Sequence, residues 1–107
     1  MRFDNAMGCV ILRFIQYLKN EMERRCKVFV VVALVMDGRD KPDTIKIMFR
    51  LDYKGHSINW NVAIPETEIR MFNEGVFDCF IESLLDDATK ALKPALVELI
   101  QEVRNGR

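Results

Sequence analysis

The side chains of this 107-residue chain that could do chemistry are three cysteines, one histidine and a run of carboxylates at four-residue spacing. Three cysteines, Cys9, Cys26 and Cys79, leave one unpaired in any disulfide scheme, and none stands close enough to another for a zinc knuckle. That usage fits a reducing, cytoplasmic compartment. A reactive thiol needs its pKa lowered, and Cys26 stands among Arg24, Arg25 and Lys27, whose charge would favour the thiolate. A cysteine-based enzyme or redox sensor would therefore turn on Cys26. The plainer reading is that all three cysteines interrupt or extend helical stripes as small buried hydrophobes. His56 falls in a turn with no cysteine or carboxylate at ligand spacing, and a general base also needs an oriented partner. Asp78, Glu82 and Asp86 recur every four residues, with Asp87 beside them, and form an acidic ridge along one helix face. A hard cation would need further oxygens converging on it. The ridge therefore reads either as a hydrated face offset by Lys90 or as a docking surface for a basic partner.

No Gly-rich phosphate loop, His-Glu metal helix, nucleophile elbow or Cys-x-x-Cys pair occurs. No catalytic, cofactor-binding or metal-binding residue is assigned, and neither a cofactor nor a small-molecule ligand is implied. Lys plus Arg and Asp plus Glu number 16 each, so no net field draws the chain to a polyanion. The densest positive cluster is RRCK at positions 24–27, with Lys46 and Arg50 adding charge on a strand face. A nucleic-acid-binding sheet usually presents exposed aromatic platforms, and no outward position of the second or third strand is aromatic. Nucleic acid is thus the weaker alternative partner, resting on Arg24, Arg25, Lys46 and Arg50. The first residues, MRFDNAMGCVILRF, lack the long apolar core of a signal peptide or membrane span, and no membrane partner is expected.

The elements that would carry these residues follow from periodicity. Over residues 6–26, Met7, Val10, Ile11, Phe14, Ile15, Leu18 and Met22 recur at helical steps, opposite Arg13, Gln16, Asn20, Glu23 and Arg24. KVFVVVALVMDG, positions 27–38, holds nine apolar residues in a row, and its valines favour a strand. DGRDKPD, 37–43, is dense in turn formers and ends it. Ile45, Ile47, Phe49, Leu51 and Tyr53 then alternate with polar residues, as do Ile58, Trp60, Val62 and Ile64, predicting two strands each with one wet face. For Tyr53 and Ile58 to share a face they are placed opposite each other across KGHS, or across a tighter turn at Gly55-His56. After Pro65, ETE suits a helix start and Gly75 its end. A last helical stripe runs from Phe77 through Leu84, Leu92 and Leu99 to Val103, kinked or divided at Pro94.

The fold class expected is α+β, one compact domain over 1–107, in the order α-β-β-β-α-α: a three-stranded antiparallel meander with helices packed on one face. Its α-β-β-β-α portion resembles the double-stranded-RNA-binding domain in topology alone. That family's last helix begins with basic residues that contact phosphate, whereas here the corresponding stretch is VFDCFIESLLDD, acidic and apolar.

In such a meander the first strand lies at an edge, with unpaired backbone groups and an apolar second face. If Ala33 opposes Ile47, then Phe29, Val31, Ala33 and Val35 enter the core. Val28, Val30, Val32, Leu34 and Met36 then point outward beside Met48 as a protein interface. The function expected is a non-enzymatic protein-binding module, an adaptor, assembly factor or inhibitor of the kind phages encode. Its partner is expected to be a second copy of the chain, the alternatives being another protein docked on the same row or a helix or N-terminal segment of the chain itself covering the strand.

Overall fold

A computed structural model describes residues 5–35, 44–76 and 79–106. The elements run α1 (Asn5–Cys26), β1 (Val30–Val35), β2 (Thr44–Tyr53), β3 (His56–Pro65), α2 (Glu66–Asn73) and α3 (Cys79–Arg104). The strands pair antiparallel in the order β1-β2-β3, and the helices pack on the sheet, so the expected α+β architecture is the one observed.

One contiguous core joins the apolar stripes. Ile11, Phe14, Leu18, Met22 and Cys26 of α1 meet Ile45, Ile47, Phe49 and Leu51 of β2 and Ile81, Leu84, Leu85, Ala88, Leu92 and Leu96 of α3, all buried. Each Leu, Ile, Phe or Met among them contributes roughly 1.5–3 kcal/mol by leaving water. The period of two in β2 appears directly as burial: its odd positions from 45 to 51 are buried, and Arg50 and Asp52 are exposed. Trp60, expected to be buried, is only partly so, with its ring 5.7 Å from that of Phe49.

Local chemistry explains the boundaries. α1 ends through Lys27, at φ 61°, whose N–H donates to the Glu23 carbonyl in the one-bond left-handed cap. α2 ends in a Schellman motif: Gly75, at φ +77°, donates to Phe72 while Val76 donates to Met71. α3 continues as one helix through Pro94, so the division of that segment is not observed.

Two pairings differ from the sequence reading. The β2–β3 turn is Lys54-Gly55, with φ of 49° and 85°, and Tyr53 opposes His56. Both central residues at positive φ mark a two-residue turn whose twist suits a hairpin. Tyr53 and Ile58 still share a face, because a register offset of two preserves parity. In β1, Ala33 opposes Met48 and Leu34 opposes Ile47. This one-residue slip turns the whole strand over.

Candidate functional site

The slip corrects the expected interface residue by residue. Val30 and Val32 are buried, and Val28 and Leu34 pack against the core, so none of them forms an outward row. Phe29 is 65% exposed instead of buried, and Val31, Ala33 and Val35 share the outer face with Met48, their half-buried neighbour on β2. Met36 lies outside the described residues. The physical reason is volume: keeping Ala33 outside puts Leu34 and Val32 under the helices, and an all-apolar strand carries no polar residue to mark which face is wet.

The edge of β1 has a definite polarity. The Val30 N–H donates to the Glu23 carboxylate at 3.0 Å, so it points away from β2. Strand alternation then turns the N–H and C=O of Val32 and Leu34 to the same free side, whereas those of Val31, Ala33 and Val35 face β2. Glu23 is held in place by the Lys19 ammonium at 2.7 Å, which also lies 4.6 Å from the centre of the Phe29 ring. The Lys19 hydrogen bond, followed by that from Val30, holds the Glu23 carboxyl below the usual carboxylate range. α1 thus caps the first edge group of β1. No described strand pairs with the next two, at Val32 and Leu34.

The other sheet edge is different in kind. β3 carries exposed Ser57, Asn59 and Asn61 on its outer face and ends in Pro65. Proline is one of the usual protections of an edge strand. Neither edge strand carries a Lys, Arg, Asp or Glu, but β1 reads VVVALV and has no polar side chain and no proline.

Cys26 is buried and its thiol is pushed up by that burial, against the opposing pull of Lys93 and Arg25. This is the reverse of what a reactive thiolate requires. Cys9 and Cys79 are exposed, so the expectation of three buried cysteines holds for Cys26 alone. The acidic ridge is partly occupied from within the chain. Arg25 donates to Asp86 at 2.6 Å and to Glu82 at 2.9 Å, while Asp78 lies outside the described residues. The same hydrogen bonds, Asp86 first, raise the Arg25 pKa further. Periodicity within α3 could not reveal this cross-helix pairing, which depends on where α1 ends.

Ion pairs also account for the basic cluster. Arg24 binds Glu21 at 2.6 Å, Arg25 binds the ridge, and Arg50 binds Asp52 at 2.9 Å. Three of the four side chains on which that alternative rests, Arg24, Arg25 and Arg50, are therefore already engaged with carboxylates. His56 is exposed at the hairpin turn. Among the described residues no group of His, Cys, Asp and Glu side chains is arranged to hold a metal ion, and no helix is long and apolar enough to cross a membrane. No protein-family model, curated protein or solved structure matches the chain.

Proposed function

We propose that this protein is a small protein-binding module working through the β1 edge, and that its partner there is a second copy of itself. The observation that carries the reading is the pair of outward-facing backbone groups at Val32 and Leu34 on an uncharged edge. Such an edge is a template for another strand, and one without charge meets no repulsion from its own copy.

A twofold axis and the Glu23 cap together select the register. Retaining the Glu23 bond to Val30 leaves Val32 and Leu34 to exchange hydrogen bonds with Leu34 and Val32 of the second copy. Ala33 then faces its own twin across the axis in a non-hydrogen-bonded pair, with Cα atoms roughly 4.5 Å apart. Ala is well suited to that close approach. Phe29, Val31 and Val35 add apolar surface on the outer face.

Sedimentation over a range of protein concentrations, comparing wild type with Ala33→Lys, tests the reading. The outer-face position lets the lysine reach solvent in a monomer, but two lysines would meet on the axis of a dimer. Wild type is expected to shift from monomer to dimer with concentration, and the variant to remain a folded monomer. A variant that dimerises like wild type would overturn the proposal.

A further inference from the structure

A groove of about 560 Å³ opens where the end of α1 meets the middle of α3. It belongs to neither the β1 edge nor its outer face. Its walls come from Arg25 of α1 and from Thr89, Lys90, Lys93, Pro94 and Val97 of α3, with Asp86 at one end. The volume falls within the range of small-molecule sites.

The charges are unbalanced in one direction. Arg25 is shared between Glu82 and Asp86, and its Nε is buried without an acceptor among the described residues. Lys93 makes one long contact, 3.5 Å, to the Arg25 carbonyl at the end of α1. Lys90 makes no ion pair among the described residues. Three cations, Arg25, Lys90 and Lys93, thus line the groove with one carboxylate, Asp86, which Arg25 already holds. The remaining positive charge stands beside an apolar strip in which Val97 is 49% exposed and the Pro94 ring is also accessible. Placing Val97 at the surface leaves apolar area in water that a ligand would cover.

We infer that this groove binds an amphipathic monoanion, a carboxylate carried on an apolar body. Lys90 and Lys93 hold the carboxylate, while Pro94 and Val97 seat the body. An ammonium head would meet like charge, and an uncharged head would leave the lysines unused. The inference stands independently of the β1 edge, since none of these residues belongs to the sheet.

The test titrates the full chain with three probes sharing one tail, decanoate, decanol and decyltrimethylammonium, below their micelle concentrations. Backbone amide shifts from NMR report where each binds. Decanoate should bind saturably, moving the Thr89, Lys93 and Val97 amides, and decanol should bind at least tenfold more weakly. Lys90→Glu combined with Lys93→Glu lies on exposed positions and should remain folded while weakening decanoate at least tenfold. Val97→Asp should weaken both decanoate and decanol. Equal affinity for the three heads, or decanoate binding unchanged by the double variant, would overturn the inference. Failure here with concentration-dependent dimerisation intact would leave the β1 reading standing, and the reverse result would leave the groove standing.

Discussion

At the scale of single residues, Glu23 joins three roles that its position in the sequence does not advertise: ion-pair partner of Lys19, acceptor for the Val30 N–H, and cap on the sheet edge. Its carboxyl is held below the usual range in the folded chain, first by Lys19. A depressed folded-state pKa contributes stability above the unfolded value, about 4.3, that is lost as pH falls through the folded value. Glu23→Gln, which can still accept from Val30 but has no charge to titrate, should therefore be less stable than wild type near neutrality. The gap should narrow as the pH falls below the unfolded value and through the folded one, as read by melting temperature across an acid series. A gap independent of pH would show that the charge contributes nothing. Cys26 yields a second expectation. Because burial pushes its thiol up, it should react with a thiol reagent far more slowly than the exposed Cys9 and Cys79. Mass spectrometry of the partly labelled protein would show this order, and early labelling at Cys26 would contradict it.

At the scale of elements, the helices and the two alternating strands were legible because one face of each is wet, which gives the pattern its parity. β1 was legible as a strand but not in its orientation. With apolar residues on both faces, its pattern is satisfied either way, and the packing volume under the helices chooses between them. The pattern alone therefore does not tell which row of β1 faces outward, whereas connectivity places β1 at the edge. The Arg25 pairing and the groove beside Pro94 were invisible for another reason: both depend on the approach of two helices far apart in sequence. α3 offers its own test at Pro94, which cannot donate to the Lys90 carbonyl yet sits inside an unbroken helix. Pro94→Ala restores that donor and a far better helix propensity, against an unfolded-state entropy cost of about 0.4–1 kcal/mol. The variant should be more stable by roughly 1–2 kcal/mol in urea unfolding. A loss of stability would show that the ring's packing outweighs the missing bond.

At the scale of the whole molecule, equal numbers of acidic and basic residues give no net charge, so the proposed association would rest on surface shape and backbone complementarity. The two sheet edges divide that labour. β3 ends in Pro65, and β1 is capped at Val30 while no described strand pairs with Val32 and Leu34. Pairing two copies through β1 would join two three-stranded sheets into one of six and remove the unprotected edge from both. Because dimer formation follows mass action, protection of the edge must rise with concentration. Residue-resolved amide hydrogen exchange from dilute to concentrated protein is the most direct measurement. The account predicts that Val31 and Ala33, bonded to β2, are protected throughout, whereas Val32 and Leu34 pass from rapid to slow exchange as the dimer forms. Exchange at Val32 and Leu34 that stays the same at every concentration would contradict it.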